Sequence, residues 1–221
     1  MATPLPMEKS FQVLARFLSG RPLTDVIAEL EYALDGTRPG QAAPLVADAG
    51  IDAHLLAATV AVRAGVGRLN DLIHASGIAL ALPHLLDASE TVVNRPSLAA
   101  GNDPSRPFDL ETDQRICEFK FSRWTGADAM RKRGVFKDFV ELAADTSGRQ
   151  GYLYVLGDRP GRFLRKTASN AGWGLDRAPS TRQLFADRFG ALTTPISSFV
   201  AKQADRVRIV DLEQTLPDLF S

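Results

Sequence analysis

The sequence is short of cysteine, of net charge and of long apolar runs. One cysteine among 221 residues rules out an intramolecular disulfide. The 26 basic side chains balance 26 acidic ones, which argues against a uniformly basic nucleic-acid coat but leaves room for a local basic patch. The longest apolar segment, residues 78–86, is interrupted by Pro83 and His84 and is shorter than the roughly 20 residues of a membrane span. Residues 1–6 lack the basic and apolar regions of a secretory signal, so we expect a cytoplasmic protein that does not associate with membranes.

Several kinds of catalytic site are also missing. The sequence contains no glycine-rich phosphate loop, no nucleophile elbow and no internal repeat. Its three histidines, His54, His74 and His84, are too few and too badly spaced for a zinc site. The thiol of Cys117 has no histidine nearby in sequence, so we expect a structural role for it. The remaining pattern that could carry chemistry consists of acids and a lysine.

This pattern lies on a predicted two-stranded hairpin. Residues 108–112 and 115–121 alternate apolar and polar side chains, and the two residues between them can form a tight turn. With that turn, Asp109 lies opposite Glu118, and Lys120 projects from the same face two residues further along. The other face is apolar and is expected to be buried; it carries Phe108, Leu110, Cys117, Phe119 and Phe121. A slip of one residue would bury the carboxylates, so the hydrophobic pattern fixes the register.

Asp109 and Glu118 would face each other as like charges on neighbouring strands, which is destabilising unless something neutralises them. A divalent cation would do so, because magnesium is usually held by one or two carboxylates with open positions for water and a phosphate. Lys120 beside such an ion could orient or deprotonate a water, or stabilise charge in the transition state. Alternatively, Lys120 forms an ion pair with Glu118 or Asp109 on a solvated strand face. The pattern alone leaves both interpretations open.

These residues, with the hairpin around them and a helical segment after them, resemble the PD-(D/E)xK nuclease-like superfamily over residues 68–156. The resemblance implies that Asp109 and Glu118 bind Mg²⁺ or Mn²⁺ and that Lys120 is catalytic. It also implies a restriction-endonuclease-like αβββαβ core with a mixed central sheet. One departure is that Phe108 separates the proline of the motif from its aspartate.

Members of this superfamily often carry a further acid on a helix before the first strand. Two residues are candidates here, Asp71 and Glu90. Asp71 is favoured as a third metal ligand because its segment reads as a helix. Asn70 and His74 share the helical face of Asp71 and could also reach the metal.

The chain is predicted to have two parts. Residues 1–67 read as an N-terminal helical region with helices at 8–18, 23–34 and 51–64 and a loop at 37–44. We expect this region to be a small bundle laid on the catalytic domain or a dimerisation element. Residues 68–221 are expected to form the nuclease-like α/β domain with a C-terminal extension.

The order of elements after the hairpin indicates a crossover. A helix at 126–144 and an apolar strand at 151–156 follow the Glu-x-Lys strand, and a connection of this kind makes the two strands parallel. Residues 78–82 and 91–98 could be strands or irregular connections, and 99–106 reads as a loop. Residues 207–211 form a short alternating strand that could pair at a sheet edge or reach a second protomer.

Basic residues near the motif are candidates for contacts with nucleic-acid phosphates: Arg123, Arg131, Lys132 and Lys137. Residues 149–188 are also rich in arginine, although such residues are most often a solvated helix face. Trp173 could stack on a base or pack on the domain. The sequence therefore predicts a magnesium-dependent nuclease, with DNA favoured over RNA by the resemblance alone. One alternative is a catalytically inactive nuclease-fold module with a nucleic-acid-binding or regulatory role. The other is a helical scaffold protein in a complex.

Overall fold

The computed structural model describes residues 6–37, 39–67, 69–98, 106–126 and 128–220. The chain divides into two compact units, Met1–Leu69 and Asn70–Ser221. Among the described residues no single helix is long and apolar enough to cross a membrane. Only a bent pair of helical segments, Gln41–Asp48 with Ala53–Leu85, reaches that length and composition.

The first unit is helical. It contains α1 (Met7–Leu18), α2 (Leu23–Leu34), α3 (Pro39–Asp48) and α4 (Ala53–Gly65). The side chain of Asp52 caps α4 by accepting a hydrogen bond of 2.7 Å from the backbone N–H of Leu55. The predicted loop at 37–44 is wrong, because α3 begins at Pro39. Proline is well tolerated at the first position of a helix, since the N–H group that it lacks would have no partner within the helix there.

The second unit is built on a four-stranded sheet of β1 (Leu110–Glu111), β2 (Arg115–Lys120), β3 (Gln150–Val155) and β4 (Val207–Asp211). The strands lie in the order β1-β2-β3-β4; β1 pairs antiparallel with β2, and the other two pairings are parallel. Leu110 pairs with Cys117 and Glu111 with Ile116, as the hairpin prediction requires. The predicted crossover is also present, since β2 and β3 are parallel neighbours.

Eight helices accompany the sheet in the described part of the second unit. They are α5 (Leu69–Leu85), α6 (Ala129–Ala144), α7 (Asp158–Lys166), α8 (Ala171–Gly174), α9 (Pro179–Phe189), α10 (Ile196–Lys202), α11 (Leu212–Thr215) and α12 (Pro217–Phe220). One buried cluster joins Phe136 and Phe139 of α6 to Ile116 of β2. A second cluster joins Ile78 of α5 to Cys117 and Phe119 on the opposite face of the same strand. The protein is therefore of the mixed α/β class, with a sheet covered on both faces.

Some predicted connections have a different structure. Residues 78–82 are not a strand, because α5 continues through Pro83 to Leu85; a short apolar run fits a buried strand and a buried helix equally well. Residues 91–98 form no regular strand but lie beside β1: Val92 makes an isolated bridge to Thr112, and the backbone N–H groups of Val93 and Ser97 donate to the carbonyls of Glu111 and Asp109 at 3.0 and 2.8 Å. The predicted loop at 99–106 falls almost entirely outside the described residues. The C-terminal segment pairs with β3 at the sheet edge as β4.

Candidate active site

A cavity of about 430 Å³ lies where the end of β2 meets α5 and α6. All of its walls belong to the second unit. Charged side chains from three elements and the approach to β1 line it: His74, Asp109, Glu118, Lys120, Lys137, Asp138 and Glu141. The structure thus brings the three predicted catalytic residues to a single cavity.

Asp109 is held by contacts from both neighbouring elements. Its Oδ2 accepts a hydrogen bond of 2.8 Å from the backbone N–H of Phe119 and lies 3.2 Å from Nε2 of His74. The other ring nitrogen of His74 lies 3.3 Å from the carbonyl oxygen of Leu98. Both partners of the ring are acceptors, so the doubly protonated imidazolium satisfies them together. Burial lowers the pKa of His74, but the hydrogen bond and charge of Asp109 outweigh it, and the pKa lies above its usual value.

A glycine lets α5 bring His74 to this position. A Cβ atom at Gly77 would lie only 2.6 Å from the ring of Phe121. With any other residue at position 77, the helix or the Phe121 ring would have to move. Glycine therefore permits the close approach of α5 to the end of β2. The His74 ring packs edge-on against the same Phe121 ring, with centroids 5.8 Å apart.

Glu118 and Lys120 project from the same face of β2 because strand side chains alternate. Nζ of Lys120 lies 3.1 Å from Oε2 of Glu118. Burial, followed by the negative charge of Asp138, raises the pKa of Glu118 well above its usual range. Burial lowers the pKa of Lys120, but the charges of Asp138 and Glu118 outweigh it and raise the pKa above its usual value. Lys120 is therefore an ammonium ion at neutral pH.

Asp138 is a member of the site that the sequence analysis missed. It lies on α6 among apolar residues, and its side chain is 7% exposed. Its Oδ2 lies 3.0 Å from Nζ of Lys120 yet, among the described residues, makes no hydrogen bond of acceptable geometry. An acid between the apolar positions Val135, Phe136, Phe139 and Val140 of a helix was the signal that could have revealed it.

Of the four basic residues predicted to contact nucleic acid, Lys137 alone lines the cavity. Its Nζ forms an ion pair of 2.7 Å with Glu141. The other three are engaged elsewhere: Arg123 pairs with Glu213 at 2.7 Å, Arg131 donates to the carbonyl of Arg123 at 2.9 Å, and Nζ of Lys132 lies 5.6 Å from the centre of the Phe163 ring.

Neither candidate for an additional acid lines the cavity. On α5, Asn70 and His74 face the cavity and Asp71 does not, because successive helix residues are rotated by about 100°. Oε1 of Glu90 lies 2.6 Å from Nε of Arg115 and accepts a hydrogen bond from Thr112. Asp71 as a metal ligand is therefore not supported by this arrangement, and Glu90 is occupied by an ion pair.

Two further residues singled out by sequence are part of the packing. Trp173 lies under the guanidinium of Arg133, 4.8 Å from its ring centre, and packs edge-on against Phe163. It therefore packs on the domain, which is one of the two predicted roles. Cys117 is fully buried, and burial raises the pKa of its thiol. This environment fits the structural role predicted for the cysteine.

The carboxylates of Asp109 and Glu118 are the side chains of the cavity that would hold a magnesium ion. No group of three or more His, Cys, Asp or Glu side chains within the described ranges is arranged to hold a metal. Magnesium, however, commonly takes only one or two carboxylates and completes its shell with water and substrate phosphate. Asp109 and Glu118 line one cavity, and the buried Oδ2 of Asp138 adds negative charge beside them. The residues present fit a cation that is only partly coordinated by protein.

No protein-family model matches this chain, and neither a curated protein nor a solved structure matches it. The resemblance to PD-(D/E)xK nucleases therefore stays a prediction that rests on Asp109, Glu118, Lys120 and the hairpin that carries them.

Proposed function

We propose that the protein is a metal-dependent phosphodiesterase that hydrolyses nucleic-acid phosphodiester bonds, with DNA as the expected substrate. The observation that carries the proposal is the convergence of Asp109, Glu118 and Lys120 on one polar cavity. Two acids and a lysine in this relation fit metal-assisted attack of water on a phosphate. Because DNA is favoured only by the resemblance, the choice between DNA and RNA belongs to the experiment.

In this proposal Asp109 and Glu118 hold Mg²⁺ or Mn²⁺. The ion would neutralise charge on the phosphate and lower the pKa of a bound water. Both contacts of Asp109 with Phe119 and His74 go to Oδ2, so Oδ1 is left without a hydrogen bond from a described residue. The two contacts fix the orientation of the carboxylate before any ligand arrives.

Lys120 acts as a fixed positive charge. Its carboxylate neighbours raise its pKa, so proton abstraction from water is not its role at neutral pH. The ammonium instead orients the attacking water and stabilises the negative charge that develops on the phosphate oxygens. The sequence left open whether Lys120 deprotonates a water, orients it or stabilises charge in the transition state. The raised pKa of Lys120 favours the last two roles.

Basic side chains beside two neighbouring cavities support binding of a nucleic-acid strand. A second cavity of about 400 Å³ shares Arg106, Lys137 and Glu141 with the first one and is also lined by Arg188. Lys137 and Arg188 place positive charge beside these cavities, where backbone phosphates adjacent to the scissile bond would lie. Positive side chains beside a polyanion favour binding with a strong salt dependence.

A second candidate function is a nuclease-fold module that binds nucleic acid without cleaving it. The ion pairs of Lys120 with Glu118 and Asp138 favour it, because they satisfy the lysine without any metal. A scaffold role is the third possibility, and it is favoured by large apolar side chains exposed on the helices of the first unit, such as Phe11, Ile27 and Leu56. A homodimer remains a prediction of the sequence.

The test is cleavage of plasmid and of labelled single- and double-stranded DNA and RNA in Mg²⁺ or Mn²⁺. The nuclease proposal expects cation-dependent cleavage that is lost in Asp109→Ala and in Lys120→Ala. The matched control is Glu111→Gln. Glu111 is a buried acid that pairs with Arg149 at 2.8 Å and does not line the cavity, so this variant should cleave normally. Binding without cleavage by the wild-type protein would favour the module, and absence of binding at low salt would favour the scaffold.

A further inference from the structure

Asp138 is buried where stability gives no reason for an acid. It lies on the face of α6 that packs on the sheet, beside Phe136 and Phe139. A buried carboxylate is costly unless it is paired and hydrogen-bonded, and well-packed apolar residues commonly replace buried ion pairs without loss of stability. Its Oδ2 accepts no well-formed hydrogen bond from the described part of the chain, so its charge is compensated mainly by the Lys120 ammonium 3.0 Å away and more weakly by Lys137, whose Nζ lies 3.7 Å from Oδ1. A carboxylate at this position calls for an explanation other than packing.

Lys120 needs an anchor because its side chain is long and lies at the end of β2. Glu118 reaches its Nζ from the same strand at 3.1 Å, and Asp138 reaches it from α6 at 3.0 Å. Two anchors on different elements hold the ammonium between strand and helix. In the proposed function Glu118 also holds the metal, which leaves Asp138 as the anchor of Lys120 that has no role in the metal site; its Oδ1 also lies 3.7 Å from Nζ of Lys137.

We infer that Asp138 is a positioning residue that fixes the ammonium of Lys120 over the cavity and is not itself a metal ligand. The consequence for catalysis rests on the proposed function, whereas the anchoring of Lys120 does not. The absence of a group of three or more metal-ligating side chains among the described residues agrees with a role outside the metal shell.

The first test observes Lys120 directly. The ammonium group of a lysine held by two carboxylates exchanges its protons slowly enough to give a ¹⁵N NMR signal, and Lys120→Met assigns that signal. The signal should be present in the wild-type protein and in Glu111→Gln, and should be lost in Asp138→Asn and Asp138→Ala. A Lys120 signal that persists unchanged in both Asp138 variants overturns the inference. Thermal melts of all variants establish that each is folded when its spectrum is recorded.

The second test separates positioning from metal binding. Asp138→Asn should lower kcat by about 100-fold with little change in KM, because a displaced catalytic group costs roughly that much. The dissociation constant for Mn²⁺, measured by electron paramagnetic resonance without substrate, should stay within about twofold of wild type. Mn²⁺ binding that is strongly weakened, together with an intact Lys120 signal, would assign Asp138 to the metal shell and overturn the inference.

The two proposals fail separately. If the wild-type protein cleaves no nucleic acid, the phosphodiesterase proposal fails while the NMR signal of Lys120 still decides the anchoring role of Asp138. If the wild-type protein cleaves and Asp138→Asn matches it in kcat, the phosphodiesterase proposal stands and the positioning role is excluded.

Discussion

Strand β2 carries a charged cluster at each end, and the two clusters differ in how completely their charges are satisfied. At the start of the strand, Arg115 contacts Glu90 at 2.6 Å, the carbonyl of Leu85 at 3.0 Å, Asp87 at 3.2 Å and the hydroxyl of Tyr154 at 3.4 Å. At the end of the strand, Lys120 lies between Glu118 and Asp138, and Oδ2 of Asp138 accepts no well-formed hydrogen bond from the residues that the structure describes. Only the second cluster borders the cavity.

The contrast separates a structural ion pair from a candidate catalytic one. The Arg115 cluster joins the end of α5 and the segment after it to the sheet, and its donors all have acceptors. In the Lys120 cluster the buried acids Glu118 and Asp138 lie close together beside Lys120 and Lys137, which is unfavourable for stability but suitable for binding a cation and a phosphate.

Arg115→Met is expected to destabilise the fold most. It would leave Glu90, whose side chain is fully buried, without its cation, and breaking one partner of a buried pair costs about 3 to 5 kcal/mol. Urea unfolding followed by circular dichroism measures this loss. The folded fraction should keep wild-type cleavage activity per molecule; an activity defect at full folding would mean that the Arg115 cluster also serves the site.

Lys120→Met, in contrast, should reduce cleavage activity strongly and stability less. Removing a charge that stabilises the transition state lowers kcat by about 100- to 1,000-fold. Lys120 is partly exposed and pairs with two carboxylates, whereas Arg115 is buried and contacts four groups, so the loss of Lys120 should change the free energy of unfolding less than Arg115→Met does. Steady-state cleavage kinetics and the same urea series give the comparison. Normal cleavage in Lys120→Met would remove this residue from the catalytic machinery.

Glu118 should make the metal-free protein less stable as the pH rises. Its pKa in the folded state is raised above the unfolded value near 4.5, so its contribution to stability is complete below that value and is lost as the pH rises through the folded pKa. Each tenfold difference in proton affinity between the two states corresponds to about 1.4 kcal/mol. Glu118→Gln should flatten this decline in a series of urea titrations without metal. An unchanged pH dependence would contradict the raised pKa.

Lys137→Ala should have the smallest effect. Its ammonium borders both cavities, so its loss should weaken nucleic-acid binding about equally for all sequences. The slope of log K against log salt should fall by about 1, the value for one phosphate contact. Fluorescence anisotropy at several salt concentrations measures it, with Lys132→Ala as the control outside the cavity. Equal slopes for wild type and Lys137→Ala would exclude the contact.

The sequence predicted the hairpin and the crossover because both depend on local alternation and on connection length. The pairing of Leu110 with Cys117 follows from a two-residue turn, and the parallel pairing of β2 with β3 follows from the helix between them. The length of α5 was not predictable from residues 78–82, because this run is apolar on its exposed side as well, where Leu80 lies, and therefore shows no helical period.

The site was only partly predictable for a different reason. Asp109, Glu118 and Lys120 are close in sequence, so strand geometry alone relates them. Asp138 meets Lys120 only through the docking of α6 on the sheet, and His74 meets Asp109 only through the close approach of α5 at Gly77. Asp71 was favoured over Glu90 because its segment reads as a helix, but the sequence does not show which face of that helix lines the cavity.

If Asp109 and Glu118 share one divalent cation, Mn²⁺ binding measured by electron paramagnetic resonance should depend on both carboxylates. We expect one site in the wild-type protein, the loss of that site in both Asp109→Asn and Glu118→Gln, and its retention in Glu111→Gln. Binding of Mn²⁺ that is the same in all four proteins, or absent from the wild type even with bound nucleic acid, would contradict this expectation.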